Sequence, residues 1–258
     1  MKILVSIATY GIKNMDYLNT IIDNYKSYKN YDIDIVVHGT HPLKRQDINF
    51  NKYENPKNTV YYHRKEFFEK QNQYDYFLFS EDDILIKEET IDTYIKYDNK
   101  LPINYCLGFI RFENTPEKID YLIDLWTNVP GYYYIANNST NIKNNSYFMT
   151  TNPFQSCYIL SKEKLKYTIE NSNYLISVDD VITDSIETAS SGIFTNWGTG
   201  TGVINRVITK NIEDLNSCFI HHMPNIHCNP PGLRKDWDYI GFRKNVITKN
   251  LLFENLNI

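Results

Sequence analysis

The stretch YDYFLFSEDDILI, residues 74–86, constrains this chain more than any other. An aromatic and apolar run stops abruptly at three carboxylates, Glu81, Asp82 and Asp83, and the apolar run Ile84-Leu85-Ile86 follows at once. Such a short apolar run bounded by charge reads as a buried strand. Placing three negative charges at the end of a buried strand is costly unless something compensates them. A divalent cation is the natural compensator, because hard cations prefer carboxylate oxygen. The expectation is a metal site, Mn²⁺ or Mg²⁺, at the C-terminal end of a central strand. The competing reading is a solvated acidic turn.

The rest of the first half supplies a setting for that strand. Residues 2–8 are apolar and β-branched and read as a first strand, ended by Thr9-Tyr10-Gly11. Met15, Leu18, Ile21, Ile22, Tyr25 and Tyr28 recur at helical spacing, which predicts a helix over 13–29. A second strand is expected over 32–37, ending in His38-Gly39-Thr40, then a polar loop past Pro42 and Pro56. Thr59 to Tyr62 reads as a short third strand, with His63-Arg64 at its end and a helix running on to about residue 73. A further helix is expected over 87–97, with Glu88 and Glu89 in the first turn where the dipole favours them. Strands alternating with helices, without hairpin turns, argue for an α/β fold with a mostly parallel central sheet flanked by helices.

The second half is less regular. Strands are expected over 105–112, 155–160 and 203–209, and helices over 116–126 and 178–189. Ser161 is placed as the N-cap of another helix. Residues 137–146 form an Asn-rich loop. No repeat and no linker divides the chain, so 258 residues with 42% hydrophobic content read as one domain with a sizeable core. A net charge of −4 with dispersed basic residues offers no field for nucleic acid or an anionic membrane. Neither a signal peptide nor a run of about 20 apolar residues is present, and the four cysteines form no CxxC, so a cytoplasmic protein with reduced thiols is the expectation.

In an open parallel sheet, ligands bind beyond the carboxyl ends of the strands. Four such ends would converge here: Ala8-Thr9-Tyr10, His38-Gly39-Thr40, His63-Arg64 and Glu81-Asp82-Asp83. Hydroxyls, a stacking ring, a fixed cation and carboxylates suit a nucleoside diphosphate with a divalent metal. There is no GxGxxG after the first strand and no GxxxxGK[ST], so dinucleotide and P-loop readings lose their usual support.

YDYFLFSEDD resembles the DxD-type strand end of GT-A fold glycosyltransferases, and ATY, HR, EDD and a late HHMPN follow the order of that family. Glu81 stands where a strict DxD has its first Asp. The resemblance implies a Rossmann-like nucleotide-sugar-binding half over 1–100 and an acceptor-side half with a smaller sheet region over 101–258. It implies a UDP- or GDP-linked sugar as donor and a glycan or other hydroxyl as acceptor. Asp83 would be the principal metal ligand, Glu81 would help through water or ribose, and Asp82 would lie near the sugar or ribose. Ala8, Thr9, Tyr10, His38 and Arg64 would contact the nucleotide. A late histidine would complete the metal site, with His221 slightly preferred over His222. Zinc held by Cys218, His221, His227 and Cys228 is the rival for that pair, although the adjacency of His227 and Cys228 suits it poorly. On the acceptor side, Asp180, Asp184 and Glu187 share a face of the expected helix 178–189. Asp180 and Asp179, with Glu187 behind them, are candidates for the base that deprotonates the acceptor, N-capping being the other role for Asp179. Trp197 is a candidate for stacking on a sugar. Inverting and retaining chemistry stay open. So do a nucleotidyltransferase of Rossmann-like fold and a non-catalytic carbohydrate-binding or scaffold protein.

Overall fold

Residues 1–126, 135–136, 146–150, 157–175, 189–190, 192–195, 202–226 and 246–255 are described by a computed structural model. The fold is mixed α/β, with three sheets and six helices among these residues. The first strand, β1 (Lys2–Thr9), is buried along nearly its whole length, as its apolar residues, interrupted only by Ser6, require of a strand covered on both faces. It pairs in parallel with β2 (Asp32–Gly39) on one side and with β4 (Tyr76–Glu81) on the other. An edge strand, β3 (Asn49–Lys52), extends the sheet beyond β2 in parallel, and β11 (Cys157–Ser161) closes the other side antiparallel to β4. The order is therefore β11-β4-β1-β2-β3, mostly parallel.

The connection from β1 through helix α1 (Met15–Lys26) returns to β2 on one side, whereas β4 lies on the other. Strand order thus reverses between β1 and β4, the switch point beyond whose carboxyl ends open α/β sheets bind their ligands. Helix α1 buries Leu18, Ile21, Ile22 and Tyr25, one face at i, i+3, i+4 and i+7. Helix α2 (Pro56–Lys70) starts with Pro56 and buries Val60, His63, Arg64 and Phe67 at the same spacing.

Glu81 ends β4, and Ile84 opens β5 (Ile84–Leu85), which belongs to a different sheet. Asp82 and Asp83 are therefore the corner by which the chain leaves the first sheet. After β5 comes helix α3 (Glu88–Asp98), then β6 (Tyr105–Leu107) and β7 (Ile110–Asn114). Next are β8 (Asp120–Trp126), β9 (Ile135–Ala136) and β10 (Tyr147–Thr150). Helix α4 (Lys162–Asn171) follows β11, and its N-cap is Ser161, whose Oγ accepts from the Lys164 amide. Beyond it lie β12 (Asn205–Thr209), α5 (Ile212–Ser217), β13 (Phe219–His222), β14 (Val246–Thr248) and α6 (Lys249–Asn255). One further sheet runs β6-β12-β10-β9 and the other β14-β8-β7-β13-β5. A continuous apolar core joins β1, β2 and β4 to β11, α3, β6 and β12, and a smaller cluster around Phe219 and Leu252 lies apart from it.

Three expectations are corrected. Residues 59–62 are not a strand: Thr-Val-Tyr-Tyr has β propensity, but Val60 starts the helical stripe that continues through Phe67, and packing overrides propensity. The third strand is instead the polar segment 49–52, held to β2 through its backbone at the sheet edge. Residues 116–126 are not a helix. Asn114 pairs with Asp120 across a tight turn in which Lys118 takes φ 62°, and 120–126 run back as β8. The expected strand 105–112 divides at Gly108 into β6 and β7, which enter different sheets. A side chain at Gly108 would press on Ile208 at 3.2 Å.

No helix among the described residues is long and apolar enough to cross a membrane. Cys106, Cys157 and Cys218 are free thiols in buried positions.

Candidate site at the corner between two sheets

The three acidic residues that end β4 are not equivalent. Glu81 is the last residue of the strand, buried, and level with Ala8 of β1, which is in turn level with His38 of β2. Asp82 is buried and turned toward the start of α1. Its Oδ2 accepts from Thr9 Oγ1 at 2.5 Å and its Oδ1 from Asn14 Nδ2 at 2.8 Å. Burial raises its carboxyl to about 6, against the hydrogen bonds from Thr9 and Asn14, which pull it down. The start of α1 also favours negative charge at this place.

Asn14 occupies the N-cap position of α1 but makes no side-chain capping bond. Its amide spans the corner instead, reaching Asp82 and, at 3.3 Å, Asp83 Oδ2. The loop that carries it is pinned by Gly11, which takes φ +79° and donates its amide to Thr40 Oγ1 at the end of β2. Tyr10, in the same loop, is half-exposed beyond the end of β1.

Asp83 faces the other way, toward β13. Its carbonyl accepts from the Met223 amide at 2.9 Å, which fastens the corner to the end of that strand. Its Oδ2 lies 3.5 Å from His222 Nε2, while its Oδ1 is buried without a hydrogen-bond partner. His222 in turn meets Glu113 of β7 through Nδ1 in a short contact. Burial acts to lower the His222 pKa, but the hydrogen bonds to Asp83 and Glu113 outweigh it and raise it to about 9. The ring lies between two carboxylates, those of Glu113 and Asp83.

His221 points elsewhere. Its ring stacks on Phe112 with centroids 4.9 Å apart, and Nε2 is 3.2 Å from Asn225 Oδ1. Alternation along β13 separates the two histidines, so His222, and not the slightly preferred His221, stands against Asp83. His63 and Arg64 do not end a strand. They sit on the buried face of α2, with His63 Nε2 and Tyr158 Oη 2.5 Å apart and the Arg64 guanidinium 4.8 Å from the Tyr174 ring centre. His38 is buried, with Nδ1 3.1 Å from Tyr53 Oη. Burial lowers its pKa to about 4. Asp179, Asp180, Glu187 and Trp197, as well as His227 and Cys228, lie outside the described residues.

Asn14 and Glu113 had no signal in the sequence. An Asn after a strand end is ordinarily a helix cap, and a Glu in a strand that also carries Arg111 and Asn114 does not stand out as buried until its partner is known.

No group of three or more His, Cys, Asp and Glu among the described residues is arranged to hold a metal. The pair Asp83 and His222 still fits two positions of a coordination sphere. Two ligands each about 2.1 Å from one ion stand about 3–3.5 Å apart, and the partnerless Asp83 Oδ1 is an oxygen in want of a positive neighbour. Asp82 is already committed on both oxygens to Thr9 and Asn14. The fold and site together define an α/β protein with an acidic corner at its topological switch point, faced by a histidine from a distant strand. No known protein-family model matches the chain, and no curated protein matches it in sequence.

Proposed function

We propose that the chain is a GT-A fold glycosyltransferase, dependent on Mn²⁺ or Mg²⁺, that moves a sugar from a UDP- or GDP-linked donor to an acceptor hydroxyl. The observation that carries the reading is the meeting of Asp83 with His222. An acidic strand end and a late histidine, far apart in sequence, share one corner at the switch point of a mostly parallel sheet. The EDD strand end and its order relative to ATY and HHMPN support the same reading by resemblance.

Asp83 and His222 would hold the cation, leaving the remaining positions to the diphosphate and water. When bound, the cation neutralises the diphosphate and stabilises the charge that develops as the nucleotide leaves. Thr9 and Asn14 hold Asp82 in place, and the same Asn14 amide also reaches Asp83, which fixes the two carboxyl groups relative to each other. Tyr10, half-exposed beyond the end of β1, would stack on a base or ribose. Asp180 or Asp179 would take the acceptor proton, with Glu187 and Trp197 on the acceptor side.

A screen of nucleotide sugars for thermal stabilisation in the presence of Mn²⁺ tests this, because a donor that binds only the folded state raises the melting temperature by mass action. One donor class should stand out, and Asp83→Ala should erase its shift. If no nucleotide sugar shifts the wild-type protein, the transferase reading fails.

A further inference from the structure

Glu113 is wholly buried in β7, a poor place for a carboxylate unless it serves another group. Strands β7 and β13 run in parallel with Phe112 level with His221, which sets Glu113 beside His222. Contact runs from the Glu113 carboxylate to His222 Nδ1, through the ring, and from Nε2 to Asp83 Oδ2. We infer that Glu113 is a positioning residue: its carboxylate keeps the proton on Nδ1 of His222, so that Nε2 presents its lone pair to a divalent cation held by Asp83. The inference rests on the metal-dependent reading above.

The chemistry requires such a partner. A histidine binds a metal through a nitrogen without a proton, and which nitrogen that is depends on the hydrogen bond made by the other. An acceptor fixed at Nδ1 selects the tautomer, orients the ring and makes Nε2 more basic.

The test is the affinity for Mn²⁺ alone and for Mn²⁺ with UDP or GDP, followed by the electron paramagnetic resonance signal of free Mn²⁺. Glu113→Gln keeps an acceptor but loses the charge, and should weaken Mn²⁺ binding by about tenfold. Glu113→Ala should weaken it by up to about a hundredfold. In a His222→Ala background, Glu113→Gln should cost nothing further, whereas a merely structural Glu113 would cost the same in both backgrounds. If Glu113→Ala does not fold, the Glu113→Gln pair still decides. Wild-type binding with an unchanged Glu113→Gln affinity overturns the role of Glu113 and leaves the metal site standing. A wild-type protein that binds no Mn²⁺ with either nucleotide overturns both.

Discussion

Asp82 and Asp83 are neighbours in sequence with different surroundings, and the difference comes from what each side chain reaches. Asp82 takes donors from Thr9 and Asn14, while Asp83 faces His222. Hydrogen bonds to a buried charged group contribute about 1.5–3 kcal/mol each. Thr9→Val should therefore lower stability by about that amount, read as a lower urea midpoint with an unchanged slope. It should leave Mn²⁺ affinity nearly unaltered if Asp83 and His222 are the ligands. At this scale the acidic end of the strand was legible in the sequence, because three carboxylates after a buried run need compensation. Which carboxylate faces which partner was not legible. That depends on Asn14 and Glu113, whose contacts with Asp82 and His222 span 68 and 109 residues.

Elements were legible where burial and local pattern agree. Strand β1, helices α1 and α3, and the Ser161 cap all lie close to their expected positions. Misreadings arose where a short apolar run satisfies two periods at once. Leu122 and Ile123 fit a helical face as well as a strand, and the turn that decides the matter uses Lys118 in the left-handed region. Left-handed backbone costs an L residue about 1 kcal/mol. Lys118→Gly should thus stabilise the β7–β8 hairpin, by up to about 1 kcal/mol less the chain entropy that glycine adds to the unfolded state. A raised melting temperature checks this. In α2, Phe67 is fully buried among His63, Phe77 and Tyr158. Phe67→Ala should cost about 3–5 kcal/mol, measured by chemical denaturation. A cost under 1 kcal/mol would contradict the helical reading of 56–70.

Over the whole molecule, buried ionisable groups set the response to acid. His38 is held neutral by burial, its pKa lowered to about 4 from 6.5. Below pH 6.5 the unfolded chain takes up a proton that the folded one refuses, so folding stability falls as pH drops from 6.5 to 4, by about 3 kcal/mol from this residue. Asp82 acts with the opposite sign, since its raised pKa lets the fold hold a proton that the unfolded chain releases above 3.8. A comparison of wild type with His38→Asn isolates the histidine. The variant should lose less stability than the wild type between pH 7 and pH 4.5, and equal pH slopes would contradict the burial assigned to His38.

The joining of the two sheets at residues 82–83 makes the central claim a matter of linkage between metal and nucleotide. Calorimetric titration of UDP and of GDP, with and without Mn²⁺, into wild type and Asp83→Ala measures it directly. The account predicts that one nucleotide binds wild type far more tightly with Mn²⁺ than without, and that Asp83→Ala removes the metal-dependent part. Nucleotide binding that is indifferent to Mn²⁺, or an Asp83→Ala variant that retains the full metal effect, would contradict it.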